Sequence, residues 1–363
     1  MASVAMTTVN PNPDFWAGKS VLVTGHTGFK GSWICIWLSM MGARITGLSL
    51  DPDTRPSLYD IAGVSTFLDS DLRCDIRDAG KLRDAVLSAA PEIVLHLAAQ
   101  PLVRRSYSDP LATYATNVMG TAHLLEAVRH TPSVKVVVNV TTDKCYENRE
   151  WVWAYREDEA MGGHDPYSSS KGCSELVTAA YRRSFLAAAG VGVATARAGN
   201  VIGGGDWSAD RLVPDFLRAI DRNETLVIRS PEATRPWQHV LEPLSGYLLV
   251  AEALWRDNVG FAEGWNFGPD EVDAKPVRWI VETLHALLPQ TRWEIFDGER
   301  PHEAGMLTLS SSKARVRLKW QPRWRLRRAL EETVQWHDAW TRGQDMAELC
   351  REQIGSYLDS PVP

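Results

Sequence analysis

Residues 20–31, SVLVTGHTGFKG, form the most informative stretch of the 363-residue chain. Residues 20–24 are apolar and rich in β-branched side chains, which predicts a buried strand. Three glycines follow with GxxGxxG spacing, and residues 32–41 then have the composition of a helix. Such a turn lets the backbone approach a pyrophosphate, and the helix N-terminus offers it N–H groups. The stretch predicts a dinucleotide-binding unit, with contacts from Gly25, Thr27, Gly28, Phe29, Lys30 and Gly31.

The same alternation of short apolar runs and amphipathic segments continues through the first half of the chain. Apolar strands separated by helices imply a parallel sheet that is covered on both faces. The predicted fold is therefore α/β, a doubly wound, Rossmann-like parallel sheet with right-handed crossovers. After the first strand we predict strands at 44–50, 93–97, 135–141 and 193–197, and helices at 81–90, 111–130 and 167–189.

The regular pattern ends near residue 200, where residues 203–206 (GGGD) and several prolines follow. The chain is also longer than a single hydrophobic core usually allows. We therefore predict a smaller C-terminal α/β lobe that binds the substrate. The predicted cofactor domain covers 14–199, with a returning segment near 237–262, and the predicted substrate lobe covers 200–236 and 263–355.

Charge and composition exclude several classes of protein. The formal net charge is -6 with no long basic run, which argues against a nucleic-acid surface. No apolar run reaches the roughly 18 residues that a membrane span needs, and residues 1–12 lack a basic signal-peptide region. The five cysteines are scattered without metal-type spacing. We expect reduced thiols, no metal site and a cytoplasmic location.

Acidic residues after the strands indicate which dinucleotide binds. Asp51 follows the second strand, where a carboxylate accepts hydrogen bonds from the adenosine ribose and repels a 2′-phosphate. This favours NAD over NADP, although Arg44 and Arg55 lie close by in sequence and would suit a phosphate. Asp75 and Ile76 follow another short segment and are candidates for the adenine edge. For Asp75, a role as a helix cap or a solvated loop residue is an equal alternative.

A catalytic group follows the fourth predicted strand, at 135–141. Tyr167 and Lys171 form YxxxK, which places both side chains on one helix face about one turn apart. A neighbouring ammonium stabilises a tyrosinate, so that the tyrosine can act as a base. Thr142 lies upstream in residues 141–144 (TTDK), at the carboxyl end of a strand. In an open parallel sheet, that edge faces the ligand crevice.

These motifs, in this order, resemble the extended short-chain dehydrogenase/reductase family over nearly the whole chain. Residues 95–100 (LHLAAQ) and 116–121 (TNVMGT) resemble two further family segments. The resemblance implies that Thr142, Tyr167 and Lys171 are the catalytic Ser/Thr, Tyr and Lys. It also implies cofactor contacts from Leu97, Ala98, Ala99, Thr116, Tyr167 and Lys171.

Asp143 and Lys144 narrow the resemblance to the family's dehydratases, which carry an acid–base pair, usually Asp-Glu, after the Ser/Thr. A lysine in the second position resembles enzymes acting on CDP-glucose and a group of UDP-N-acetylglucosamine dehydratases. Residues 235–240 (RPWQHV) and 300–304 (RPHEA) also resemble the CDP-glucose branch. An alternative without catalysis is that Asp143 caps a turn and Lys144 is solvated.

The resemblance implies an NAD-dependent 4,6-dehydration of a nucleotide-diphospho-glucose, with CDP-glucose as the first choice. The product would be CDP-4-keto-6-deoxy-glucose, which feeds deoxysugar synthesis of the O-antigen type. We expect Tyr167, helped by Thr142, to take the 4-hydroxyl proton, Lys144 to take the carbon 5 proton, and Asp143 to protonate the departing 6-hydroxyl. The alternatives are a UDP-sugar 4,6-dehydratase, a 4-epimerase and a non-catalytic NAD-sensing module. Only resemblance distinguishes cytidine from other bases.

The substrate diphosphate requires cations, and the sugar requires polar groups. The candidates are Gln100, Arg105, Asn200, Arg211, Arg235, Asn266 and Arg300, with Arg104 also placed near the sugar by resemblance. The predicted helices 111–130 and 167–189 correspond to the family's dimer interface. They imply a homodimer or a homotetramer.

Overall fold

The computed structural model describes residues 9–298 and 305–363. Within these residues, seven parallel strands form one sheet in the order β11-β6-β5-β4-β1-β2-β3, and the other strands form three two-stranded pairs, β7–β10, β8–β13 and β9–β12. The strands are β1 Ser20–Thr24, β2 Arg44–Ser49, β3 Ser70–Arg73, β4 Ile93–His96, β5 Val136–Val140, β6 Gly192–Ala198, β7 Val201–Ile202, β8 Thr225–Ile228, β9 Thr234–Pro236, β10 Gln238–His239, β11 Gly264–Phe267, β12 Ala274–Pro276 and β13 Arg292–Ile295.

Helices cover both faces of the large sheet and build most of the second lobe. They are α1 Pro13–Trp16, α2 Phe29–Met40, α3 Leu58–Ile61, α4 Ala79–Ala89, α5 Val103–Ser108, α6 Pro110–Tyr114, α7 Gly120–Arg129, α8 Pro166–Tyr181, α9 Leu212–Asp221, α10 Leu241–Arg256, α11 Val277–Leu287, α12 Ser312–Arg317, α13 Leu326–Thr341 and α14 Met346–Asp359.

The sheet forms because its central strands are buried on both faces and mostly apolar. Every residue of β5 and β6 is buried. Two separate apolar clusters result, one containing Trp33, Leu244 and Trp265 and the other containing Leu22 and Leu124. Because each face of the sheet has its own layer of helices, the predicted doubly wound α/β fold is confirmed.

The strand order places the ligand crevice. From β1 the chain winds outward through β2 and β3, and it then returns to β4 and winds the other way. Neighbouring crossovers leave the sheet in opposite directions at β1 and β4, which opens a crevice at the carboxyl ends of the strands. The glycine turn after β1 and the loop after β4 both lie at this edge.

Edge strand β3 was not predicted from the sequence. Its residues alternate between half-buried and exposed, and it contains two charged side chains. A strand with one neighbour lacks the continuous apolar run that marks the central strands. The predicted helices are present with local changes: residues 111–130 comprise α6, a π-helical turn at Ala115–Met119 and α7, and α8 continues into a π-helical turn at Arg182–Leu186.

The second lobe combines the short strand pairs with α9, α11 and α13 around a third apolar cluster. Strand β11, at residues 264–267, pairs with β6 in the large sheet, directly after the predicted returning segment. Helix α14 packs on the cofactor-domain side, where the rings of Tyr357 and Trp37 lie 5.8 Å apart edge to face. The lobe boundaries given above remain predictions. Among the described residues, no helix is long and apolar enough to cross a membrane.

Candidate active site

A cleft of about 830 Å³ lies at the carboxyl edge of the sheet, between the sheet and the second lobe. It brings together nearly every residue predicted from the sequence. The lining includes the predicted cofactor and catalytic positions Gly25, Thr27, Gly28, Phe29, Lys30, Gly31, Asp51, Asp75, Ile76, Leu97, Ala98, Ala99, Thr116, Thr142, Asp143, Lys144, Tyr167 and Lys171. It also includes the predicted substrate positions Gln100, Arg104, Arg105, Asn200, Arg211 and Arg235.

The glycine turn is shaped to fit a dinucleotide. Gly25 has φ of 75°, and a Cβ there would lie 2.7 Å from the backbone nitrogen of Ala98. A Cβ on Gly31 would collide with the carbonyl of Gly25. Gly28 caps α2 without a side-chain hydrogen bond, so the helix N-terminus faces the cleft with its positive dipole end. The turn therefore fits a pyrophosphate.

The two acidic candidates at the ribose end have different surroundings. Asp51 is exposed on the cleft wall, and its Oδ1 accepts a hydrogen bond from Nε of Arg73 at 2.7 Å. Asp75 accepts hydrogen bonds from the backbone N–H and guanidinium of Arg77, which hold the pKa of its carboxyl below the ordinary value. Asp75 thus stabilises its own loop and lines the cleft as well.

The loop after β4 is fixed by Asn117, a residue that the sequence reasoning did not assign. Its Oδ1 accepts from the backbone N–H of Gln100 at 2.8 Å, and its Nδ2 donates to the carbonyl of Gln100 and to Ser170. It therefore connects the loop at 97–100 to α8, which carries the tyrosine and lysine. The TNVMGT resemblance contained this residue, but only the structure shows its partners.

Thr142 and Asp143 follow β5 at the floor of the cleft. Thr142 is the N-cap of a 3-10 turn at Asp143–Cys145, and its hydroxyl donates to Oδ1 of Asp143 at 2.9 Å. The other oxygen, Oδ2, is buried and has no hydrogen-bond partner among the described residues. Burial raises the pKa of the Asp143 carboxyl, although Lys144 opposes the shift. A buried carboxyl with a free oxygen is suited to donating a proton.

Tyr167 and Lys171 are both buried on α8. Burial raises the pKa of Tyr167 to about 12, while the hydrogen bond with Thr142 and the charge of Arg211 lower it. Lys171 donates to the carbonyl of Val140 at 3.3 Å, and burial lowers its pKa to about 8. The sequence predicted that Lys171 would lower the pKa of the tyrosine. In this structure, the hydrogen bond with Thr142 and the charge of Arg211 are the largest effects that lower this pKa, and burial exceeds both.

Lys30 brings a further positive charge into the cleft. It follows Phe29 in the glycine turn, and burial together with the charges of Arg211 and Lys171 lowers its pKa to about 7. Asp143 opposes this shift. The sequence placed Lys30 only among the cofactor contacts, but its electrostatic partners also belong to the catalytic and substrate groups.

Cations line the part of the cleft formed by the second lobe. Arg211 donates to the buried carboxylate of Asp206 at 2.8 Å. Arg235 is buried and donates to the carbonyl of Thr234 at 2.9 Å. Arg104 pairs at 3.1 Å with Asp210, and this pair joins α5 to the second lobe. These guanidinium groups make this end of the cleft suitable for a diphosphate.

The structure does not bring every predicted substrate residue to the cleft. Asn266 is fully buried in β11 and absent from the cleft lining. Its Oδ1 accepts a hydrogen bond from the hydroxyl of Tyr146, and its Nδ2 donates to the carbonyl of Tyr155. The prediction that Asn266 contacts the substrate was therefore wrong. Gln100 lines the cleft, but its side chain is hydrogen-bonded to Leu102 and Thr113. Arg300 and the remainder of the RPHEA segment lie outside the described residues.

Comparison with known proteins identifies the family. The sequence profile described as GDP-mannose 4,6 dehydratase matches residues 22–333, most of the chain. The chain belongs to this family. Within the wider set of relatives, it is 54% identical to the CDP-glucose 4,6-dehydratase of Salmonella typhimurium over 353 residues, which cover 96% of this chain and 98% of that protein.

Solved structures of related enzymes have the same fold as this family member. The dTDP-glucose 4,6-dehydratase from Bacillus anthracis, in complex with NAD, matches with a TM-score of 0.74 at 21% identity and covers 91% of this chain and 100% of its own. The UDP-glucose 4-epimerase from Thermotoga maritima, with UDP-glucose, matches with a TM-score of 0.76 at 23% identity and covers 88% and 99%. At these identities, the likeness establishes the fold.

Proposed function

We propose that this chain is a hydro-lyase that converts CDP-glucose into CDP-4-keto-6-deoxy-glucose and water with NAD as an internal redox cofactor. The observation that carries the proposal is Asp143, whose buried and unpartnered Oδ2 lies in the cleft beside Lys144 and the Thr142–Tyr167 pair. An epimerase needs the tyrosine but has no use for a second acid–base pair. The 54% identity to a CDP-glucose 4,6-dehydratase supports the same reaction.

Each catalytic side chain has a separate task in this reaction. NAD, when bound, would supply the redox chemistry, as acceptor of the hydride from carbon 4 of the sugar and as its donor to carbon 6. The residues at the glycine turn, with Asp51, would hold it. Tyr167 removes the proton of the 4-hydroxyl, and Thr142 hydrogen-bonds to Tyr167 and keeps Asp143 in place. The 4-ketone then acidifies the proton on carbon 5.

The elimination step is assigned to Asp143 and Lys144. Burial raises the pKa of the Asp143 carboxyl, so that it holds a proton more readily than an exposed aspartate, and we assign to it the donation of a proton to the departing 6-hydroxyl. Lys144 takes the proton from carbon 5. Its side chain lines the cleft next to that acid. Lys144 returns its proton to carbon 5 as hydride reaches carbon 6, and the proton that Tyr167 took from the 4-hydroxyl passes to Asp143, which restores the site.

The test of Lys144 is Lys144→Met, which removes the amine and keeps an unbranched apolar side chain. We expect NAD binding to remain and the exchange of the carbon 5 proton with deuterium oxide to be lost, as measured by NMR. Lys81→Met, at an exposed lysine of α4, is the matched control and should exchange normally. Normal elimination by Lys144→Met would contradict the assignment of the base.

The nucleotide is tested by measuring turnover of CDP-, UDP-, GDP- and dTDP-glucose side by side. The 4-keto-6-deoxy product is detected by its ultraviolet absorbance in strong alkali, which epimers do not give. We expect CDP-glucose to have the highest kcat/KM. Preference for UDP-glucose would instead support a UDP-sugar dehydratase, and product without alkali absorbance would support a 4-epimerase. A chain that binds NAD and turns over none of these sugars would be an NAD-sensing module.

The substrate contacts are proposed from charge and position. Arg211 and Arg235 line the second-lobe end of the cleft and would bind the diphosphate. Arg105 and Asn200 line the same cleft and would contact sugar or phosphate oxygens. Arg300 is retained as a proposed contact from its motif alone.

We also propose that the enzyme forms a homodimer, or a dimer of such dimers, through α6, α7, α8 and the π-helical turns that adjoin them. Large apolar side chains on this stretch are exposed: Leu111, Met119, Leu176 and Phe185. Exposed apolar groups of this size on neighbouring helices suit an interface between identical chains.

We place the enzyme in the cytoplasm, in deoxysugar synthesis for O-antigen-type polysaccharide. The free thiols of all five cysteines support the cytoplasmic location.

A further inference from the structure

Arg73 and Asp51 form an ion pair at the ribose end of the cleft. Arg73 ends β3, and Asp51 lies two residues after the end of the adjacent strand β2. The Nε of Arg73 is 2.7 Å from Oδ1 of Asp51. Among the described residues, Oδ2 of Asp51 has no hydrogen-bond partner. One carboxylate oxygen is therefore held, and the other remains available.

The guanidinium of Arg73 is itself held from the opposite side. Its Nη1 donates to Asp71, and its Nη2 donates to the hydroxyl of Tyr59 at 3.1 Å. Asp71 also pairs with the buried ring of His26 at 2.9 Å and accepts a hydrogen bond from Tyr59. His26 belongs to the glycine turn, so this network connects the turn, α3 and β3 to the end of β2.

The two members of the pair differ in exposure. The side chain of Asp51 is 86% exposed and lines the cleft, whereas that of Arg73 is 36% exposed and does not line it. An exposed aspartate would otherwise sample several rotamers, each with a similar free energy. Arg73, which is not part of the cleft lining, holds Oδ1 of Asp51 and so favours one orientation of this carboxylate.

We propose that Arg73 is a positioning residue that orients Asp51 toward the adenosine ribose, and that the Asp51–Arg73 pair sets the preference for NAD over NADP. This inference rests on the proposed use of NAD. Asp51 accepts hydrogen bonds from the ribose hydroxyls and keeps a 2′-phosphate away from the arginine. Arg73 preorganises that acceptor, which reduces the entropy lost on binding.

The Asp51–Arg73 pair also predicts how replacement of Asp51 changes NADP binding. A guanidinium held at the end of β3 is a ready partner for a phosphate once the carboxylate between them is removed. Asp51→Ser should therefore weaken NAD binding and strengthen NADP binding. The added replacement of the arginine in Asp51→Ser/Arg73→Met should abolish the gain in NADP binding.

The experiment uses the full-length chain freed of bound nucleotide and titrated with NAD and with NADP by calorimetry. For Arg73→Met we expect the Kd for NAD to rise about tenfold, and kcat at saturating NAD to stay within about twofold of wild type. For Asp51→Ser we expect the ratio of the two Kd values to move toward NADP by about a hundredfold. Arg83→Met, at an exposed arginine of α4 paired with Asp84, is the matched control and should change neither quantity.

A more conservative substitution tests the same role of Arg73 if the Arg73→Met variant does not fold. Tyr59→Phe removes one hydroxyl that contacts Arg73, and it should raise the Kd for NAD about threefold with no change in kcat. Unchanged NAD affinity in both Arg73→Met and Tyr59→Phe would overturn the positioning role. Equal NADP affinity in Asp51→Ser and the double variant would overturn the specificity role. Absence of NAD binding in the wild-type chain and all variants would instead overturn the proposed function, and this inference with it.

Discussion

At the residue scale, the chemistry depends on a few polar groups that are buried at the edge of the sheet. Thr142, Tyr167 and Lys171 could be assigned from sequence because their spacing reflects a mechanism. Their pKa values could not, because burial decides them and depends on residues far away in sequence. Lys30 illustrates this limit: its charge is visible in the sequence, but its proximity to Arg211 is a property of the folded chain.

The role of Asp143 is tested by Asp143→Asn, which keeps the shape of the side chain and removes the proton that it donates. We expect formation of the 4-keto-6-deoxy product to fall by about 10²–10⁴-fold, the usual effect of losing a general acid, while NAD binding is retained. Product is measured by alkali absorbance and binding by calorimetry. Asp84→Asn, at an exposed aspartate, is the control and should be fully active. Full turnover by Asp143→Asn would remove Asp143 from the mechanism.

The pH dependence of activity tests Lys171. Its pKa is lowered to about 8 by burial, so it is an ammonium below that pH and loses its charge above it. The neutral amine stabilises a tyrosinate less well. We therefore expect kcat/KM to decline above about pH 8 in a pH–rate profile. Lys171→Arg keeps its charge, so its residual activity should not show this decline. A wild-type profile that stays flat to pH 9.5 would contradict the role given to Lys171.

At the element scale, sequence reasoning was accurate where burial is continuous and failed where it is not. Central strands such as β5, with four valines among its five buried residues, have a pattern that predicts them. Edge strand β3 has charged residues and one neighbour, so its pattern resembles a loop. The prediction of Asn266 as a substrate contact was wrong for a related reason. The sequence does not show that its side chain is buried and hydrogen-bonded to Tyr146 and Tyr155.

The contact between α10 and the C-terminal helix has a measurable pH signature. Glu242 on α10 is fully buried and accepts hydrogen bonds from the backbone N–H of Trp324 and the hydroxyl of Tyr357 on α14, both at 2.8 Å. Burial raises its pKa to about 7, despite these donors and the charge of Arg323. The folded state thus binds an extra proton between the ordinary pKa of 4.5 and about 7, and stability from this group is lost as pH rises through 7.

Glu242→Gln removes this titration and leaves the shape of the side chain unchanged. We expect the variant to gain up to about 3 kcal/mol of unfolding free energy relative to wild type at pH 8, and little at pH 4.5. Urea denaturation at the two pH values measures the difference. Glu348→Gln, an exposed residue of α14, is the control and should show no such change. A difference that is the same at both pH values would contradict the assignment.

At the scale of the whole molecule, the cleft joins two sources of chemistry. The sheet edge supplies the cofactor turn and the catalytic groups, and the second lobe supplies cations such as Arg211 and Arg235. The sequence indicated both groups by motif, but it could not show that Arg104 and Asp210 bridge them across the cleft. Such a contact joins segments that are about a hundred residues apart, and no local pattern encodes it.

Assembly is tested with Leu176→Glu, which introduces a charge on the exposed apolar face of α8. We expect the variant to shift from dimer to monomer, because burying an unpaired carboxylate in an interface is strongly unfavourable. Sedimentation velocity measures the change. Val316→Glu is the matched control, because Val316 is equally exposed, at 60%, and lies on α12, away from the proposed interface. A monomeric wild-type chain, or a dimer that survives Leu176→Glu, would contradict the proposed interface.

The central claim is that hydride leaves carbon 4 and returns to carbon 6 of the same sugar within one active site. The most direct measurement uses CDP-glucose deuterated at carbon 4, incubated with the enzyme and unlabelled NAD, with mass spectrometry and NMR of the product. We expect a 4-keto-6-deoxy sugar that carries the deuterium on carbon 6. Deuterium that remains on carbon 4, or that is released from the enzyme with the nicotinamide, would contradict it.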